Sequence, residues 1–440
     1  MHCNNLKLII FILFVFSGHN VFCQTPQIEI NSYDIKVGFE ISNSRLNVKA
    51  LLGLKKNDMV NEFGMLLTSN AKIDSIKFKI NNDWIIATHS IAGNDSLCLT
   101  VPPELFASED MIIDFEYSLP IEESEVGMFI LSRGHRWYPL ILDQIARFKL
   151  TAEVPYKYVV FSAGDLVEKK TYSETSQFIW ESKIPVFKLP LIIVKSDFYN
   201  KTETDIDDKK IILYSSNIDA GTKKKIISET YDIFKFYNEH LGEYHHNRLT
   251  LIEIPELSGI NLATGLIMLG PASIEGFKKG YYDGLHLSVA TQWISAGVFF
   301  QLFGKGFWFL QLSFPHYLRL MYLEQAKGEN AFNEGLQRGL NEYKKIAGTN
   351  KDIPIMDVDF PNTYEKSTII YGKGPYVIDK LRRLIGDKDW ENLIKKIYTD
   401  FKGKILTFDE FKELLSIYDK DGSCILILEK VLTGINIPED

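Results

Sequence analysis

The hydrophobic pattern of the chain changes period once, near residue 200, and that change dictates the kind of fold it can adopt. Before it, apolar residues alternate: Ile35, Val37, Phe39 and Ile41, then Ile76, Phe78 and Ile80, then Ile113, Phe115 and Tyr117. A period of two places side chains on one face of a half-buried strand. After it the spacing is helical. Ile226, Ile227, Tyr231, Phe234 and Leu241 share a face that stops at Gly242; Val377, Leu381, Leu384 and Ile385 share another; Trp390, Leu393, Ile394, Ile397 and Phe401 a third. Thr407 and Glu410 form a capping box ahead of Phe411, Leu414 and Leu415. Strands are expected at 210–214, 248–255 and about 265–270, with mostly helix from about 284. The polar stretch NKTETDIDDK (200–209) reads as the boundary. The expectation is an α+β protein of two domains: a β-sheet domain over 24–205, and over 206–440 a mostly helical domain with a small β-subdomain.

A length of 440 residues suits two domains. With 45% hydrophobic and 24% charged residues, wholesale disorder and a polytopic membrane protein are excluded as classes. A net charge of -8 argues against a general nucleic-acid binder. Lys7 precedes an unbroken apolar run over 8–16, which is a signal-peptide core too short to span a bilayer. Residues 1–23 are therefore expected to be a signal peptide cleaved near Cys23, and the mature chain to be exported and not an integral membrane protein. Lipoprotein processing at Cys23 competes, against the bulk of Phe22. Cleavage leaves Cys98 and Cys424, which an exported chain could pair but which read as two isolated buried thiols. Gly304-Lys305-Gly306 and Pro315 interrupt the apolar run 296–323, which reads as core.

Several segments together carry a resemblance. They are Arg136-Trp137-Tyr138-Pro139, AEVPYKYVVFSAGDLVE (152–168), LPLIIVKSDF (189–198) and the long stretch YGKGPYVIDKLRRLIGDKDWENLIKKIYTDFKGKILTFDEFKELL (371–415), with KVLTGINIPED (430–440) at the end. Over most of 30–436 the chain resembles the aminopeptidase N family of gluzincin zinc metallopeptidases. The resemblance implies a saddle-like N-terminal β domain followed by a thermolysin-like domain. It also implies a zinc ion held by the two histidines of an H-E-x-x-H helix and a glutamate from the next helix, with the motif's own glutamate as general base. A further glutamate on a G-x-M-E-N strand would bind the substrate's amine, and a tyrosine would stabilise the oxyanion.

Position by position, most of this chemistry is missing. The histidine helix aligns on Gln292 and Trp293, which puts Leu287 and Thr291 at the zinc-ligand positions and Ser288 at the base. The amine-binding glutamate falls on Leu262, and the third ligand near Leu312, with Gln311 and Leu310 as alternatives because the spacing has an apparent insertion. Tyr371 alone matches. Between Asp283 and Glu324 the chain has no Asp or Glu at all. Leucine offers a metal nothing, and neutral hydroxyls are poor ligands. No cofactor is expected, zinc in particular.

The remaining candidates have ordinary readings. His286, with Asp283 one turn earlier, is either a rebuilt ligand or a satisfied histidine; His316 lacks a nameable partner; His245 and His246 read as turn residues. Ser288 lacks the G-x-S-x-G elbow of a nucleophile. Asp419-Lys420-Asp421-Gly422 has Ile417 and Leu428 where a calcium loop needs ligands. The leading expectation is an inactive homologue whose former cleft, lined by Leu262, Leu287, Ser288, Thr291, Leu312 and Tyr371, serves binding or assembly in the cell envelope. Its partner would be a peptide, an apolar ligand or an envelope protein, and not nucleic acid. A hydrolase with a relocated metal or a metal-free mechanism around His286, His316 and Tyr371 is the rival; a structural subunit of an envelope complex is the third reading.

Overall fold

The computed structural model describes residues 28–93 and 95–435. The expected signal peptide, with its cleavage point near Cys23, lies outside them, as do the last residues of KVLTGINIPED.

The N-terminal domain is built from β1 (Ile28–Glu40), β2 (Arg45–Lys56), β3 (Glu62–Leu66), β4 (Lys72–Ile80), β5 (Asp83–Ile86), β6 (His89–Ala92), β7 (Ser96–Thr100), β8 (Asp110–Pro120), β9 (Met128–Leu131), β10 (Arg147–Pro155), β11 (Tyr158–Phe161), β12 (Asp165–Thr171), β13 (Thr175–Glu181) and β14 (Leu191–Lys195). The large sheet runs β12-β13-β10-β1-β2-β8-β4-β5, and two three-stranded sheets, β11-β14-β9 and β3-β7-β6, accompany it. β1 lies antiparallel to β2 and parallel to β10. The alternating residues Ile35, Val37 and Phe39 of β1, Ile76 and Phe78 of β4, and Ile113, Phe115 and Tyr117 of β8 form its buried face. Ile41 departs from the pattern: it opens a 3-10 turn after β1 and is exposed.

The second domain begins with β15 (Asn200–Ile206) and β16 (Lys209–Ser215), followed by β17 (Arg248–Glu253), β18 (Ile260–Ala263) and β19 (Leu266–Leu269) in the order β15-β16-β17-β19-β18. The stretch 200–209, read as the domain boundary, is an edge strand and its turn, and this sheet starts at Asn200, within the 24–205 assigned to the first domain. An edge strand with charged, exposed side chains shows no hydrophobic alternation, so it is not visible as a strand in the sequence.

The period of two explains how the domains join. On β17 and β19, Leu249, Leu251, Ile267 and Leu269 point into the core of the helical domain. The alternate residues Ile252, Leu266 and Met268 belong to the core of the N-terminal domain. One sheet therefore serves two cores, and burial on both faces holds the domains together.

The helices are α1 (Ala220–His240), α2 (Pro271–Lys278), α3 (Asp283–Trp293), α4 (Phe314–Lys327), α5 (Glu329–Lys344), α6 (Tyr364–Thr368), α7 (Gly374–Ile385), α8 (Asp387–Phe401), α9 (Phe408–Ser416) and α10 (Ser423–Thr433). Asp219 caps α1 by accepting from the Thr222 N–H at 2.9 Å. Thr407 and Glu410 form the capping box of α9. Leu384, in the last turn of α7, is 47% exposed and does not share the buried face of Val377 and Leu381. Two π-helical turns, Phe309–Ser313 and Ile369–Lys373, run directly into α4 and α7. Pro315 sits in the first turn of α4, just past the π turn that leads into it, and does not break the helix. Among the described residues no helix is long and apolar enough to cross a membrane. Cys98, half-buried, and Cys424, buried, are not joined to each other by a disulfide.

Candidate functional site

A cavity of about 420 Å³ opens between the two domains. Leu262 reaches it from β18, Leu287, Ser288 and Thr291 from α3, Leu312 from the first π turn and Tyr371 from the second, so all six residues stand around one space. Gln311 also lines it, whereas Leu310 does not and is buried. Phe299, Phe300, Phe307 and Trp308 extend the apolar wall, and the N-terminal domain supplies Asp143, Ile145, Phe187 and Lys188.

The walls are held in place by buried polar groups. Gln292 Oε1 accepts from the Gly265 N–H at 2.8 Å and the Tyr244 hydroxyl at 3.2 Å, and its Nε2 donates to the Ala263 carbonyl at 3.2 Å. This clamps α3 to the β18–β19 hairpin. Trp293 Nε1 donates to the Gly242 carbonyl at 2.8 Å. The two π turns meet where the Ser313 hydroxyl donates to the Ile370 carbonyl at 2.6 Å. A π turn inserts one residue into a helix. The turn at Phe309–Ser313 lies where the spacing has its apparent insertion, and Leu312 and Gln311 on it line the cavity.

The hydroxyls of the site are occupied locally. Ser288 Oγ donates to the Gly284 carbonyl at 2.6 Å and Thr291 Oγ1 to the Ser288 carbonyl at 2.6 Å, each within its own helix. Neither bonds to a histidine, so Ser288 has no base to activate it. Tyr371 stands with its ring 5.5 Å from that of His316, and burial pushes its hydroxyl up to about 12.

The histidines are committed elsewhere. His286 Nε2 pairs with Glu229 Oε2 at 2.8 Å and ties α3 to α1, while Asp283 pairs with Arg319 at 2.8 Å. His316 Nε2 lies 3.3 Å from an Arg319 nitrogen; burial, then the Arg319 charge, push its imidazolium well below the ordinary range. His286 and His316 do not line the cavity. His245 and His246 do lie in the bend before β17, yet both are buried: His245 Nδ1 meets the Tyr398 hydroxyl at 3.1 Å, and His246 Nδ1 pairs across the domain interface with Asp165 Oδ2 at 3.2 Å. In the DKDG segment, Asp419 accepts from the N–H groups of Cys424 and Ile425, so it caps α10.

A zinc ion does not fit the donors at the aligned positions. It needs three strong protein ligands. Leu287 and Leu312 supply none, and the neutral Thr291 hydroxyl, which donates to the Ser288 carbonyl, is a poor ligand. Among the described residues no three His, Cys, Asp or Glu side chains come together as a metal site.

Two charged residues at the wall escaped the sequence reading. Lys188 Nζ donates to the Leu262 carbonyl at 3.3 Å; burial, with the Arg133 charge, brings its ammonium down to about 8. Asp143 adopts φ +67°, and burial raises its carboxyl while Arg133 opposes the rise. The one signal for Lys188 was a lone cation inside the apolar run VFKLPLIIV (186–194).

No family model and no curated protein sequence matches the chain. Solved structures do. A two-domain M1 zinc metallopeptidase mutant bound to L-arginine superposes with a TM-score of 0.76 at 14% identity, covering 94% of this chain and 96% of that one. The M1 zinc metallopeptidase of Deinococcus radiodurans gives 0.75, and a mutant of it bound to a Tyr-Ser-Ala substrate gives 0.73, both at 14% identity and with the same coverage. The chain has the two-domain fold of the M1 zinc metallopeptidases, the aminopeptidase N family.

Proposed function

We propose that this protein is a non-catalytic relative of the zinc aminopeptidases and uses the cavity between its domains to bind a ligand with an apolar body, a short peptide or a small molecule. The observation that carries the proposal is the replacement of donors by Leu262, Leu287, Thr291 and Leu312 around one cavity. Without zinc, nothing at these positions activates water. A cavity of about 420 Å³ falls within the roughly 300–1,000 Å³ of ordinary ligand pockets, and its wall is mostly apolar with a few polar groups. A solved neighbour of the same fold holds a tripeptide substrate, which supports a peptide as one class of ligand. The expected leader places this role outside the cytoplasm, in the cell envelope or beyond it.

The test is zinc content by elemental analysis after incubation with excess zinc, together with hydrolysis of a panel of aminoacyl 4-nitroanilides and binding of Nile red. Near-zero zinc, no hydrolysis and saturable dye binding are expected. Stoichiometric zinc with turnover would overturn the proposal, and so would the absence of any binding.

A further inference from the structure

Both main-chain polar groups of Leu262 are taken by side chains. Its N–H donates to Asn261 Oδ1 at 2.8 Å, and its carbonyl accepts from Lys188 Nζ at 3.3 Å. The position that the sequence resemblance gives to a carboxylate for the substrate's amine thus carries a leucine, and the chain brings its own ammonium there. The loop that presents Lys188 is fixed. The Arg133 guanidinium stacks 3.8 Å from the centroid of the Phe187 ring and donates to the Phe187 and Ile141 carbonyls, and Trp137 Nε1 donates to the Leu189 carbonyl at 3.0 Å.

Among the described residues Lys188 forms no salt bridge, although it stands at the wall of an apolar cavity. Asp143, the other charge at that wall, forms no salt bridge with Lys188 among the described residues; burial raises its carboxyl and the Arg133 charge opposes the rise. An ammonium facing apolar surface with one carbonyl as partner is poorly compensated, and a carboxylate is the group that compensates it best. Its lowered ammonium pKa, about 8, still leaves Lys188 mostly charged at neutral pH.

We infer that the cavity takes a ligand with an apolar body and one carboxylate, which Lys188 Nζ engages, a polarity opposite to that of an amine-binding site. The inference rests on the binding role proposed above. The apolar body would lie along Leu287, Phe299, Phe300 and Leu312. A fatty acid and the free C-terminus of a short apolar peptide share this chemistry.

Isothermal titration of the purified protein with two matched sets decides it. One set is dodecanoate, dodecanamide and dodecylamine; the other is N-acetyl-Leu-Phe with a free or an amidated C-terminus. The acid should bind about tenfold or more tightly than its amide in at least one set, with the amine weakest. The set that shows the preference identifies the source of the carboxylate. Lys188→Met should bring acid and amide within about twofold of each other by removing the charge-assisted bond, while amide binding persists. Equal affinity for acid and amide in both sets, or an amine that binds as tightly as the acid, overturns the role of Lys188 and leaves the binding cavity standing. If no probe binds, the cavity reading falls with it. The wild-type comparison stands even if Lys188→Met fails to fold.

Discussion

At the scale of single residues, the positions that the resemblance gives to zinc ligands carry side chains that hold no metal. α3 presents Leu287 and Thr291 one helical turn apart to the same cavity that Leu312 enters from the neighbouring π turn. Supplying donors there should therefore supply a metal site. The combined variant Leu287→His, Thr291→His and Leu312→Glu is expected to retain about one zinc per chain after dialysis, where the parent retains almost none. Because Gln311 also faces the cavity, Gln311→Glu in place of the Leu312 change tests the alternative register. Failure of both variants, with folding intact by circular dichroism, would sink the assignment of these positions. The six wall residues were legible in the sequence because Gln292-Trp293 and the Tyr-Gly-Lys-Gly segment supply a frame to count from. Lys188 and Asp143 were not, because they come from loops of the other domain and meet the cavity only through long-range packing.

At the scale of elements, periodicity revealed α1, α7, α8 and α9 and the strands β1, β4 and β8 of the large sheet, since each buries one face. It missed what carries no periodic mark. An edge strand such as β15 is polar on both sides, and a π turn adds one residue without changing composition. The second π turn is held by glycine contacts. A Cβ on Gly372 would fall against the carbonyl oxygen of Gly339 on α5, and its carbonyl carbon lies 3.0 Å away, so only backbone movement makes room. Gly372→Ala is therefore expected to cost about 1–3 kcal/mol, read as a lower midpoint in urea unfolding, and to displace the adjacent Tyr371. A variant of unchanged stability would show that this close approach is not rigid. Thr407→Ala, which removes the capping box of α9, should cost about 1 kcal/mol on the same assay.

At the scale of the molecule, two domains share one sheet, and buried ionisable groups lie where they meet. Asp165 of β12 accepts from the Asn247 N–H at 3.0 Å and pairs with His246; burial opposes its ionisation, but these bonds hold its carboxyl below the usual range. That contribution is present above the unfolded value near 4 and is lost only as the pH falls through the lower folded value. His245 behaves differently. Burial first, then the charge of His246 and the surrounding lysines, push its imidazolium well below 6.5, so the fold holds it neutral. As the pH drops below about 6.5 the unfolded chain binds a proton that the native state refuses, and stability falls by up to about 1.4 kcal/mol per pH unit for each such group. His316 adds a second group of the same sign. The urea midpoint should therefore hold between pH 8 and 7 and decline between 6.5 and 5, well before Asp165 titrates. His245→Asn, which keeps a partner for the Tyr398 hydroxyl without a titrating ring, should take away about a third to a half of that slope, since His316 and His135, also lowered by burial, share it. A decline that begins only below pH 4.5, or an unchanged slope in the variant, would mean that the interface is wet enough to let His245 charge in place.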